Sequence, residues 1–138
     1  MAATVEFEDD NGQVVRYVRH ANGGGLVSPR AQVHEAAVVA ATAYVEAGVQ
    51  VGDRSRIGAG SWLDHDVIVG KDVVVAGNVH LGRRTRAEDG TWIGTGARVG
   101  SDVVIERGAR VAPDAVVRDS VVVRRRSGFG GSKRGIAA

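Results

Sequence analysis

Residues 49–64 read VQVGDRSRIGAGSWLD, with Val51, Ile57 and Leu63 six positions apart and Gly, Asp, Ser and Ala between them. A six-residue beat fits neither the 3.6-residue turn of a helix nor the two-residue alternation of a strand. Followed outward, the beat takes in Val33, Val39, Val45, Val51, Ile57, Leu63, Val69, Val75, Leu81, Ala87, Ile93, Val99, Ile105, Val111, Val117 and Val123, so fifteen of sixteen positions are Val, Ile or Leu.

Two residues before each of these stands a small or β-branched residue, from Ala31 to Val121. Three residues before, Gly, Asp and Asn dominate, as at Gly48, Gly60, Asp66, Asp72, Asn78, Gly90, Asp102 and Asp114. Those types tolerate the left-handed backbone of a sharp corner. Each hexad therefore reads as a short strand with one large and one small side chain pointing inward, followed by a turn. Three hexads close a triangular coil of eighteen residues, and stacked coils pair in parallel about 4.8 Å apart. The fold class expected is all-β, a parallel β-helix of about five coils over residues 31–123. AEDGTW puts Ala87 where a larger side chain belongs, so that coil is expected to be underpacked or bulged, at a cost of about 1–3 kcal/mol.

The hexads VGDRSR, IGAGSW, VGKDVV, IGTGAR and VGSDVV resemble the hexapeptide-repeat family of left-handed parallel β-helices. The resemblance implies the left hand, against the usual right-handed crossover; periodicity alone does not give it. It also implies trimers of prisms packed side by side.

Residues 1–30 form an N-terminal unit in which TVEFEDDNGQVVRYVRH has two β-prone runs around Asn11-Gly12, a hairpin signal. The hairpin is expected to cap the first coil or to reach a neighbouring subunit, with ANGGGLVSPR as a connector. Residues 124–138, RRRSGFGGSKRGIAA, make an extended basic tail. The net charge of +2 divides into −1 over residues 1–30, −2 over 31–123 and +5 over 124–138. Arg124, Arg125, Arg126, Phe129, Lys133 and Arg134 are the tail residues expected to bind a partner, either an acidic protein surface or, less specifically, nucleic acid.

There is no cysteine, hence no disulfide framework, thiolate metal site or cysteine nucleophile. MAATVEFEDD lacks a basic then apolar leader, and nowhere do eighteen apolar residues run together, so a virion or cytoplasmic location is expected rather than a membrane one.

Side chains eighteen apart stack in outward columns. One holds Tyr44, Trp62, His80, Arg98 and Val116 and is the expected subunit interface, since contiguous apolar strips mark contacts. Ile68, Val104 and Val122 form a second column, and Val38, Val74 and Trp92 a third. The histidines are the residues able to exchange protons near neutral pH. In the family's acyltransferases a histidine between subunits deprotonates the acceptor while the acyl donor lies along the coils; His80 and His65 are the positions that fit. The family's zinc-binding carbonic anhydrases use three histidines, two close in sequence, and the spacing of His20, His34, His65 and His80 does not match, so no metal is expected. The Gly58-Ala59-Gly60 and Gly94-Thr95-Gly96 runs fall on hexad corners and read as turns rather than phosphate loops.

No pocket-building insertion interrupts the coils. The reading this favours is a non-enzymatic, cofactor-free structural protein: a homotrimer decorating or cementing a larger assembly such as a phage capsid, with a major capsid protein as partner. GGLVSPRAQVHEAAVV, which looks like phage-encoded hexapeptide proteins, points the same way. The alternative is an acyltransferase using an acyl-CoA donor, with His80 or His65 as general base.

Overall fold

A computed structural model describes residues 4–126. It is an all-β, left-handed parallel β-helix of a little over five coils. The six-residue beat becomes seventeen two-residue rungs, from Leu26–Val27 to Val122–Val123. Together with the two strands of the N-terminal hairpin they form three sheets, of eight, six and five strands. Neighbouring rungs pair in parallel with an eighteen-residue offset, as in Trp62 beside His80 and Leu63 beside Leu81.

Corners explain why the chain can turn this often. All thirteen corner positions from Gly48 to Ser120 have φ between 54° and 80°. Gly, Asp and Asn take this conformation readily, but Arg54 and Arg84 do not. Each of these arginines clasps the aspartate one coil on. Arg54 Nε and Nη2 donate to Asp72 at 2.8 and 3.1 Å, and Arg84 makes the same pair of bonds with Asp102.

Inside the prism the large side chains Ile57, Leu63, Leu81, Ile93 and Ile105 are fully buried with the valines. Three small inward residues do more than leave room. The Ser55, Ser61 and Thr85 hydroxyls donate to the Gly70, Ala76 and Gly100 carbonyls at 2.6–2.7 Å and accept from the Val73, Val79 and Val103 N–H groups at 3.0–3.1 Å, sewing successive coils together at their corners. At Ala87 the expected bulge is absent. Its rung pairs in register with both neighbours, Val69 above Ala87 and Ile105 below it.

Strands β1 (Thr4–Glu8) and β2 (Val14–Arg19) make the N-terminal hairpin. Its tight turn is held by Asp9, whose carboxylate accepts from the Asn11 and Gln13 N–H groups at 2.9 and 2.8 Å. β2 runs antiparallel to β3 (Leu26–Val27), which in turn starts the parallel stack. Leu26 and Val27, expected in a connector, are thus the first rung, and the hairpin extends one face of the prism past the first coil. That face, the eight-stranded sheet, carries His80, and His65 lies in the turn that follows its Trp62–Leu63 rung. Among the described residues no helix is long and apolar enough to cross a membrane.

Candidate active site

The outer surface of the eight-stranded sheet is a ladder. Tyr44, Trp62, His80, Arg98 and Val116 occupy successive rungs, so the five residues expected in one column are brought together in one. The Trp62 and His80 rings stack, with centroids 4.4 Å apart and planes at 26°. Tyr44 packs instead against Tyr17 and Phe7 of the hairpin, at 5.4 and 6.4 Å.

At the end of the Trp62–Leu63 rung comes Asp64, in the hexad position where many other coils have glycine. Its N–H joins the coil ladder, donating to Leu81 at 3.0 Å. Gly82 lies one coil below it and adds no side chain directly beneath the carboxylate, and the Asp64 side chain is only 13% exposed. Oδ1 of Asp64 accepts from the His65 backbone N–H and bonds His65 Nδ1, both at 2.8 Å. Oδ2 stands 3.6 Å from His80 Nε2, and Arg83 Nε lies 3.6 Å from Oδ1. One carboxylate therefore gathers both histidines singled out in the sequence. Burial alone would raise the Asp64 carboxyl; the hydrogen bonds from the His65 ring and N–H, with Arg83 nearby, outweigh it and hold the group below the ordinary carboxylate range. His80 Nε2 is buried and has no hydrogen-bond partner among the described residues.

From Asp64 an open groove of about 660 Å³ runs down the prism. Gly82 and Gly100 form its floor and Arg118 its far end. His80, Arg98 and Val116 stand on one side, and Arg83, Ser101 and Asp119 on the other. The trough is lined by a carboxylate held ionised, the His80 imidazole and three guanidiniums, which can hold an anion, while His65, bonded to the same carboxylate, stands outside the lining and can exchange a proton at that end. No three His, Asp or Glu side chains among the described residues are placed to share a metal ion.

Asp64, Arg83 and Arg118 escaped the sequence reading. Their signal was present, since Asp64 precedes His65 and lies eighteen residues above Gly82. Of the other expected columns, Trp92 is covered by Arg110, whose guanidinium carbon is 5.6 Å from the ring centroid. In the tail, Arg124 donates to Glu106 at 3.1 Å, and the Arg125 N–H reaches the same carboxylate at 3.4 Å. Arg126 ends the described chain, and Phe129, Lys133 and Arg134 lie outside the described residues.

These features define a left-handed hexapeptide-repeat β-helix with a polar groove on one outer face. The solved structures it is similar to include acetyltransferases and an acyltransferase. The chain is similar to the acetyltransferase domain of PglB from Neisseria gonorrhoeae in complex with acetyl coenzyme A, with a TM-score of 0.64 and 20% identity over 71% of this chain and 53% of that one. It spans about half the length of that domain. A GDP-perosamine N-acetyltransferase from Caulobacter crescentus, in complex with CoA and GDP-perosamine, matches with a TM-score of 0.37 and 24% identity over 70% of this chain and 51% of that one. A UDP-N-acetylglucosamine acyltransferase from Campylobacter jejuni matches with a TM-score of 0.35 and 13% identity over 72% of this chain and 67% of that one. No family model and no curated protein matches the chain.

The expectation of a non-enzymatic structural protein is corrected by the neighbour of TM-score 0.64, an acetyltransferase domain in complex with acetyl coenzyme A. Its premise was that a reaction site needs an insertion between coils. The groove instead arises from the coils themselves, where two glycines take the place of side chains on an outer edge.

Proposed function

We propose that this protein is an acyltransferase, moving an acyl group from an acyl-CoA to an amine or hydroxyl acceptor with His65 as general base. The observation that carries the reading is the Asp64–His65 bond at 2.8 Å. With Nδ1 donating to the carboxylate, the lone pair is left on Nε2 of a side chain that is 41% exposed. The acceptor N–H or O–H passes its proton to Nε2 while its heteroatom attacks the thioester carbonyl carbon. A C–N or C–O bond forms, the C–S bond breaks, and the departing CoA thiolate takes up the proton held on the imidazole. Arg83, Arg98 and Arg118 are suited to the donor's phosphates along the trough. The donor class is suggested by the acetyl coenzyme A of the PglB domain.

The reading includes a homotrimer. Trp62 is 42% exposed and Val116 69% exposed on the groove's own face, and a second copy packed there would turn the open trough into an enclosed one.

Thiol release from acetyl-CoA, followed with a panel of amine and hydroxyl acceptors, tests the proposal. Acceptor-dependent release is expected, with His65→Asn lowering it about 100-fold or more. A loss confined to His80→Asn would reassign the base to His80. Absence of any acceptor-dependent release would remove the acyltransferase reading.

A further inference from the structure

The hairpin is connected to the site by an unbroken series of contacts. Tyr17 of β2 is 7% exposed, and its hydroxyl donates to Glu46 Oε1 at 2.8 Å. The other oxygen of the same carboxylate, Oε2, accepts from Trp62 Nε1 at 2.8 Å. Trp62 stacks on His80 at 4.4 Å, and His80 Nε2 stands 3.6 Å from Asp64. Glu46 lies in the same column as Asp64, one coil above it, at the end of the Tyr44–Val45 rung.

Both oxygens of Glu46 are thus taken by donors from different parts of the chain. A carboxylate that accepts two fixed N–H or O–H groups sets the angle between them, because each bond is strongest along a lone-pair direction. Tyr17 is itself fixed by edge-on packing against Phe7 and Tyr44, at 5.8 and 5.4 Å. The indole is consequently oriented from the hairpin side, and the imidazole stacked on it cannot turn without losing that stack. We infer that Glu46 is a positioning residue, tying the hairpin to Trp62 and so fixing where the His80 ring stands beside Asp64. The hairpin is then part of the site's support as well as a cover for the first coil. The inference rests on the acyltransferase reading for its consequence in turnover, but not for its geometry.

The test separates the two. In wild type the stacked indole should shift the His80 ring protons upfield in the NMR spectrum. Tyr17→Phe keeps the buried ring but removes the donor, and Glu46→Ala removes the link. Both should reduce the upfield shift, Glu46→Ala more, while His20 and His34 resonances stay in place. Glu46→Gln, which retains one carbonyl acceptor, should restore part of it. An unchanged His80 shift in Glu46→Ala would overturn the link, whatever the enzyme does. In an active wild type, Glu46→Ala should lower kcat about three- to tenfold, because the His80 ring stands against the Asp64 carboxylate that holds His65, with the KM for acetyl-CoA within twofold. A changed His80 shift with unchanged kcat would overturn the positioning role. A wild type without turnover would sink the acyltransferase reading while leaving the spectroscopic arm intact.

Discussion

Asp64 is the residue on which the site depends, and sequence inspection passed over it because a single aspartate in a hexad looks like a turn former. What sets it apart is visible only after folding the chain into eighteen-residue coils, when the space beneath it proves to belong to Gly82. Its folded-state pKa is depressed despite burial, so its stabilising contribution is complete above the unfolded value of about 3.9 and is lost as pH falls through the lower folded value. Thermal midpoints of wild type and Asp64→Asn should therefore differ between pH 5 and 7, and the gap should narrow as pH falls below the ordinary aspartate value of about 3.9. A gap that is constant across that range would mean the carboxylate's charge contributes nothing to the fold. His65 and His80 were legible as candidates, since proton exchange near neutrality needs an imidazole in this cysteine-free chain. Which of the two is better held was not legible, because it depends on one 2.8 Å contact.

At the level of the rung and corner, the hexad beat predicted nearly everything: strand positions, inward residues and the left-handed corners. Arg54 and Arg84 are departures that the beat does not explain, and their i+18 aspartates do. The inward serines were read as small residues, whereas each hydroxyl also serves as donor and acceptor. Ser61→Ala removes the bonds to Ala76 and Val79, but the freed Val79 N–H can take the ordinary turn bond, as Ala109 does with Glu106 at 2.8 Å. The expected cost is accordingly about 1 kcal/mol, not the 3 kcal/mol of an abandoned buried group. Urea unfolding of the pair of proteins measures it. Leu26–Val27 joined the prism unannounced, because the run of glycines before it resembles a linker while the rung's partners lie a full coil away.

For the whole molecule, the decisive point is that a solenoid without insertions still makes a groove on its own outer edge. That surface is shared with the face carrying Trp62 and Val116, so assembly and chemistry are coupled in the proposed trimer. Light scattering should give about three times the 14.4 kDa chain mass for wild type and the single-chain mass for Val116→Asp, which buries a charge in the contact. If Val116→Asp remains trimeric, the contact uses another face. Turnover by a monomeric Val116→Asp at the wild-type rate would show that one chain makes a complete site. Function was the part least legible in the sequence: the composition, the exposed columns and the lack of inserted loops all favoured a structural role, because a groove made of absent side chains leaves no motif.

The tautomer of His65 tests the Asp64–His65 pair most directly. A neutral imidazole free in water prefers its proton on Nε2, whereas the carboxylate at 2.8 Å from Nδ1 calls for the opposite. Long-range proton–nitrogen NMR near pH 8 should show His65 protonated on Nδ1 with Nε2 bare, and Asp64→Asn should abolish that preference. A His65 ring carrying its proton on Nε2 in the wild-type protein would leave no lone pair where the base is required and would contradict the mechanism.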